Sequence, residues 1–130
     1  MVIDTSAVVA IFLGEPERKL LLELLLQAET RMISAATVLE TGIMLEDRRG
    51  ESAGREFDLL LVRANLQIVA VDSEQTEIAR SAWRKYGKGR HPAGLNFGDC
   101  FSYALAKSTG EPLLFKSDDF RKTDIVPALP

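Results

Sequence analysis

The sequence predicts an α/β sandwich built around a mostly parallel sheet. Three observations carry this reading. Short apolar runs alternate with longer segments of helical periodicity, the runs are near-continuously apolar as in strands covered on both faces, and capping side chains recur where a run gives way to a helix. Met1-Val2-Ile3 reads as the first strand, and Asp4-Thr5-Ser6 supplies caps for a helix over Ala7 to Leu13. Gly14-Glu15-Pro16 breaks that helix, and Glu17 to Ala28 starts another. Leu20, Leu21, Leu22, Leu24, Leu25 and Leu26 make the second helix apolar nearly all round, which predicts burial on more than one side, by its own domain or by another chain.

Met32-Ile33 reads as a second strand, followed by a helix from Thr37 to Arg48 that carries Val38, Leu39, Ile43 and Leu45, with Glu40 one turn in. A polar link, Gly50 to Gly54, leads to a helix from Arg55 to Ala64 with Phe57, Leu60 and Leu61 at helical spacing. Gln67 to Val71, β-branched and continuous, reads as a third strand, and Asp72-Ser73 caps a helix from Glu74 to Tyr86. Gly87 to Phe97, rich in glycine and basic residues, reads as a loop before Gly98-Asp99 opens a helix that stops at Gly110. Leu113-Leu114-Phe115 is then a buried strand, Ser117-Asp118-Asp119 a turn, and Ile125-Val126 a short last strand.

The 130 residues fit one domain, 1–130, large enough to bury a core without disulfides. With 46% hydrophobic and 27% charged residues the chain resembles a globular protein rather than a disordered one. Cys100 is the sole cysteine, so a disulfide framework and a thiolate metal cage are both excluded, and a reducing, cytoplasmic home is expected. No signal-like leader or membrane-crossing stretch is visible, so no membrane association is expected. A net charge of -3 argues against a general nucleic-acid binder, unless the acids are concentrated in one pocket where bound cations invert the local field.

Ligands of open parallel sheets bind beyond the carboxyl ends of the strands. Asp4 stands there after the first strand and Asp118-Asp119 after a late one, while Glu40 and Asp99 sit in early turns of helices that can face the same edge. Each acid alone has a plainer role: Asp4 and Asp99 as helix caps, and Asp72 simply as one. Glu40, amid Val38, Leu39 and Ile43, needs a partner to offset desolvation, for which an Arg would serve. Several carboxylates aimed at one edge repel one another, and a hard divalent cation is the usual remedy: Mg²⁺ or Mn²⁺ rather than Zn²⁺, given the lack of a Cys/His cluster.

His91 is the only histidine, which excludes paired-histidine ribonuclease chemistry; it reads as a solvated loop residue or a phosphate contact. No Ser-His-Asp triad, phosphate-cradling GxxxxGK[ST] or GxGxxG is present. Cys100, Trp83, Phe57 and Tyr103 read as core. Arg48, Arg49, Arg84, Lys85, Lys88 and Arg90 either track a nucleic-acid backbone or form a solvated face.

Four segments together carry a resemblance. They are Val2-Ile3-Asp4-Thr5-Ser6-Ala7, Ala36-Thr37-Val38-Leu39-Glu40-Thr41, the run Asn96-Phe97-Gly98-Asp99-Cys100-Phe101-Ser102-Tyr103-Ala104-Leu105-Ala106, and Leu113-Leu114-Phe115-Lys116-Ser117-Asp118-Asp119-Phe120. In this order, over the full length, they closely resemble PIN-domain ribonucleases of the VapC toxin family. The resemblance implies a three-layer α/β/α fold with a mostly parallel sheet, Mg²⁺-dependent endonucleolytic cleavage of RNA, homodimers and an inhibitory VapB-type antitoxin. It also implies that Asp4 and Asp99 are direct metal ligands, that Glu40 completes the site or holds a water, and that Asp119 is the fourth acid. Thr5 or Ser6 is expected to offer a hydroxyl to metal or phosphate. The family commonly has Gly-Asn-Asp-Phe where this chain has Ser117-Asp118-Asp119-Phe120, so Asp118 stands as the substitute for Asp119. The rival reading from another class is a receiver-like, Mg²⁺-binding phosphoacceptor domain with Asp72 and Lys116 in its site; Asp4 standing alone after the first strand, and two helices before the third, speak against it.

Overall fold

A computed structural model describes residues 1–129. Strand β1 (Val2–Ile3) leads into helix α1 (Thr5–Phe12), then α2 (Arg18–Gln27), β2 (Met32–Ser34), α3 (Ala35–Arg49), α4 (Glu51–Arg63) and β3 (Gln67–Val69). Helices α5 (Ser73–Tyr86) and α6 (Phe97–Thr109), strand β4 (Leu113–Leu114) and a 3-10 turn (Asp119–Lys122) complete the chain. The four strands form one parallel sheet in the order β3-β2-β1-β4, with Val2 opposite both Met32 and Leu113.

Alternation along the strands divides the core in two, because successive side chains point to opposite faces. Ile3, Ile33 and Leu114 face a core built with α1 to α4, whereas Val2, Leu113 and Phe115 face one built with α5 and α6. The result is the expected three-layer α/β/α arrangement with a parallel sheet. Chain order also fixes where a site belongs. The chain moves from β1 to β2 to β3 on one side, then crosses to β4 on the other, so the strand order reverses between β1 and β4. A crevice opens outside the carboxyl ends at such a reversal.

Several expectations need correction. In α2 only Leu21 and Leu25 are fully buried, Leu22 and Leu24 are half-buried, and Leu20 and Leu26 are exposed, so its own domain covers the helix on one side only. The third strand stops at Val69 and lies at the sheet edge with Ile68 half exposed, which its apolar run does not reveal. Ile125-Val126 forms no strand; Leu113 donates to the Val126 carbonyl (2.9 Å) and makes an isolated bridge with Pro127. The segment after α5 is a turn clasped by a bridge between Gly87 and Leu95. Phe57, Tyr103 and Cys100 are buried as expected, but Trp83 is 44% exposed and is no core residue. The receiver reading is not supported: α3 and α4 both lie between β2 and β3, and the flavodoxin-like order of such domains differs from β3-β2-β1-β4.

Candidate active site

Asp4 sits where β1 ends and α1 begins. Its backbone is extended, and its Oδ2 accepts from the Ser6 N–H (3.0 Å), so it is the N-cap of α1. Capping does not exhaust the carboxylate. Ser6 Oγ donates to Oδ2 at 2.7 Å, and Ser102 Oγ, from α6, donates to Oδ1 at 2.6 Å. Ser6 Oγ also accepts from the Lys116 N–H (3.0 Å), which ties the end of β4 to the start of α1. Asp4 is buried and thereby locked in one orientation.

Glu40 lies on the face of α3 that also carries Thr37, Thr41 and Met44, since residues three and four apart are neighbours on a helix. Among the described residues no Arg pairs with Glu40, and a hydroxyl takes the place expected for one. Thr5 Oγ1 donates to Glu40 Oε1 at 2.5 Å, and Thr41 Oγ1 in turn donates to Thr5 Oγ1 at 3.1 Å. A Cβ at Gly98 would overlap the Glu40 carboxylate, so any side chain at residue 98 would force the Glu40 side chain out of its present position.

Asp99 occupies the third position of α6 in a capping box. Asn96 Oδ1 accepts from the Asp99 N–H (2.9 Å), and Asp99 Oδ2 accepts from the Asn96 N–H (3.0 Å). The helix therefore opens at Phe97, with Asn96 rather than Gly98 or Asp99 as its cap. Burial pushes the Asp99 carboxyl up to about 7; the Asn96 N–H opposes that push, and the like charges of Asp4, Asp119 and Glu40 add to it.

Asp4, Glu40, Asp99, Asp118 and Asp119 all line one cleft of about 440 Å³, rimmed by Arg48 and Lys116. Asp119 is half-buried and within the field felt by Asp99, whereas Asp118 is exposed. That difference favours Asp119 as the fourth acid. Lys116 Nζ pairs with Glu15 and lies 3.5 Å from Glu17.

Thr5 and Ser6, expected to offer a hydroxyl to metal or phosphate, direct theirs to Glu40 and Asp4 instead. Ser102, three residues after Asp99, and the pair Thr37 and Thr41 were legible only as helix spacing relative to the acids. Asp72 is a cap and no more, accepting from the Gln75 N–H at 2.8 Å. His91 is half-buried, sits edge-on against Tyr86 at 5.1 Å and accepts from the Ala93 N–H at 3.0 Å, so its role is to hold the turn rather than to be solvated. Burial pushes the Cys100 thiol up to about 11, with the Asp99 charge adding to it; such a thiol is inert as a nucleophile.

The donor set is all oxygen, which suits a hard cation such as Mg²⁺ or Mn²⁺. Among the described residues no three His, Cys, Asp or Glu side chains yet converge closely enough to share one ion. Mg²⁺ keeps several waters and needs only one or two direct carboxylates, a demand that acids lining one cleft can meet.

The profile of the PIN domain family matches residues 1–126. Over 125 residues the chain is 58% identical to the Ribonuclease VapC of Mycolicibacterium smegmatis, with 96% of this chain and 97% of that protein covered. Among solved structures it resembles Mycobacterium tuberculosis VapC20, described as a sarcin-ricin loop cleaving toxin, with a TM-score of 0.79 at 21% identity, covering 99% of this chain and 98% of that one. It also resembles VapBC2 from Rickettsia felis bound to a promoter DNA fragment, with a TM-score of 0.74 at 18% identity, covering 97% of this chain and 95% of that one. These likenesses match the architecture and the full-length motif order, and the chain belongs to the PIN domain family, in its VapC branch.

Proposed function

We propose that the chain is a Mg²⁺-dependent endoribonuclease, the toxin of a toxin-antitoxin pair, which hydrolyses RNA phosphodiester bonds at the cleft lined by Asp4, Glu40, Asp99 and Asp119. One observation carries the reading: four carboxylates from four separate segments line one cleft, where burial, with their mutual repulsion added, lifts Asp99 to about 7. Natural folds tolerate such a cluster where a cation offsets it. The ribonuclease name of the 58% identical relative supports RNA as substrate.

Asp4 and Asp99 would hold the divalent cation directly, Mn²⁺ being a substitute for Mg²⁺, and Glu40 and Asp119 would complete the site or hold a water. Bound there, such a cation supplies a water of lowered pKa and offsets the charge on the scissile phosphate. The chain's own residues prepare the rest. Ser6 and Ser102 fix both oxygens of Asp4, and Thr5, backed by Thr41, fixes Glu40, so the carboxylates arrive oriented. Arg48 and Lys116 at the rim present cations to the flanking phosphates. A VapB-type antitoxin belongs to the same reading, supported by the toxin-antitoxin complexes among the similar structures, and a homodimer and a cytoplasmic setting are proposed with it. No helix among the described residues is long and apolar enough to cross a membrane.

The test is cleavage of labelled single-stranded RNA by the purified protein in EDTA, Mg²⁺ and Mn²⁺, beside Asp99→Asn. Cleavage is expected only with metal, and only in the parent. Metal-independent cleavage, or full activity in a contaminant-free Asp99→Asn preparation, overturns the assignment.

A further inference from the structure

The four acids of the cleft are not held alike. Asp4, Glu40 and Asp99 each accept a hydrogen bond from a hydroxyl or an N–H of their surroundings. Among the described residues no such bond reaches the Asp119 carboxylate, and Asp118, which precedes its 3-10 turn, gives that turn no side-chain cap. The place of Asp119 is therefore set by whatever fixes the backbone of residues 119–124. That stretch is tied at both ends. At the near end Phe120 is fully buried, its ring centroid 5.2 Å from that of Phe115 just after β4. At the far end Asp124 reaches α6, where its Oδ1 accepts from the Tyr103 hydroxyl at 2.7 Å and its Oδ2 from Lys107 Nζ at 2.9 Å. Burial alone would raise the Asp124 carboxyl, yet these two donors hold it below its ordinary value, so it stays an anion able to accept from both. Tyr103 is buried and makes the firmer tie, whereas the Lys107 pair is 40% and 43% exposed and screened by water.

Asp99, Tyr103 and Lys107 stand four residues apart on α6, in one stripe of that helix. The helix that opens with one acid of the cleft thus anchors the turn that carries another. We infer that Asp124 is a positioning residue: through Tyr103 and Lys107 it fastens the turn bearing Asp119 to the helix bearing Asp99, and so sets the place of the fourth acid in the cleft. The inference rests on the ribonuclease reading and deepens it by naming what places that acid. A single buried ring, that of Phe120, is a pivot; a second tie is needed to set the angle at which Asp119 enters the cleft. The two ties are also linked. Thr123 Oγ1 donates to the Phe120 carbonyl at 2.6 Å and accepts from the Ile125 N–H at 3.2 Å, so a shift at Asp124 passes back to the turn.

Leu113 donates to the Val126 carbonyl and accepts from the Ala128 N–H, both at 2.9 Å, so the chain beyond Asp124 stays on β4 without it. Asp124→Ala should therefore fold and loosen the turn alone. Its affinity for Mn²⁺ in calorimetry should fall roughly tenfold, the lower end of what losing a group that orients a carboxylate of a metal site costs. Asp124→Asn, which still accepts from Tyr103, should recover most of that loss, and at saturating Mg²⁺ the kcat of Asp124→Ala should return close to the parent's. The deciding comparison is made in an Asp119→Asn background. There Asp124→Ala should change Mn²⁺ affinity by no more than about twofold, because a residue that acts through another loses its effect when the other is gone. Should Asp124→Ala not fold, Tyr103→Phe, which removes one hydroxyl, carries the same comparison. Unchanged Mn²⁺ affinity in both Asp124→Ala and Tyr103→Phe overturns the inference. So does an equal loss with and without the Asp119 carboxylate, the mark of a tie that serves the fold only. An Asp119→Asn protein with the parent's affinity overturns it too, since the tie then has no ligand to place. Failure of the ribonuclease reading shows separately, as a parent protein that binds Mn²⁺ and cleaves no RNA.

Discussion

Asp99 answers to two opposed demands. As third residue of the α6 capping box it is favoured as an anion, by the Asn96 N–H and by the helix N-terminus. Burial and the facing Asp4, Asp119 and Glu40 favour the neutral acid instead, and they win by lifting it from 3.8 to about 7. The folded, metal-free protein therefore binds more protons than the unfolded chain between those values, so its stability falls as pH rises through that window. In EDTA the melting temperature should drop from about pH 5 to about pH 8 more steeply for the parent than for Asp99→Asn, with Mg²⁺ offsetting the drop. Identical slopes in the two proteins contradict this assignment of the shift. Gly98 makes a second case, because alanine normally favours a helix over glycine by about 1 kcal/mol, yet here its Cβ would overlap the Glu40 carboxylate. Gly98→Ala should lower kcat/KM roughly tenfold or more while leaving the melting temperature nearly unchanged, as loss of carboxylate orientation does. A fully active Gly98→Ala shows that Glu40 needs no fixed position. The four acids were legible in the sequence because each stands just beyond a strand or in the opening turns of a helix. Their supports were not: the hydroxyl facing Glu40 comes from Thr5, 35 residues away, and the one facing Asp4 from Ser102, 98 residues away.

Among the elements, α2 shows how periodicity reports apolar content without reporting direction. Six leucines in seven positions look alike on paper, yet the short hop from α1 turns only one stripe, Leu21 and Leu25, against Phe57 and the rest of that core. Leu21→Ala should then cost about 2–5 kcal/mol in denaturant unfolding, because it empties a closed site, while Leu26→Ala should stay within about 0.5 kcal/mol. Equal losses at the two positions are the result that contradicts this packing. The same blindness to direction explains Trp83 and β3. An aromatic on an amphipathic helix and a β-branched run both read as buried, but α5 carries Trp83 on its outer side and the sheet happens to end at β3, leaving Ile68 uncovered. Caps were read more faithfully, since a cap is settled by atoms two or three residues away, as at Asp72 and at Asp4.

At the scale of the molecule, charge separation reconciles a net charge of -3 with an RNA substrate. The acids gather outside β1 and β4, where the strand order reverses, and the run of bases from Arg80 to Arg90 flanks them on α5 and the following turn. A count over the chain averages the two and hides both. The same view locates the face on which an antitoxin would act. Leu39 and Ile43, 65% and 59% exposed, stand one turn apart on α3, and with Val38 and Phe57 they line a shallow apolar groove between α3 and α4. Glu40 follows Leu39 directly, so a partner strand or helix seated there passes beside the acidic cleft. An Arg or Lys carried into that cleft would pair with the carboxylates and compete with Mg²⁺ for them. Co-expression with the cognate antitoxin should give a complex whose cleavage is suppressed and partly restored as Mg²⁺ is raised. Leu39→Glu and Ile43→Glu, both on the surface, should weaken the complex by roughly 10- to 100-fold with free activity retained, whereas Leu25→Glu, at a fully buried position, should fail to fold. Leu20→Glu and Leu26→Glu test the exposed side of α2 in the same assay. Tight, inhibited complexes in both α3 variants, with loss confined to the α2 pair, would move the docking face to α2 and leave the nuclease assignment untouched.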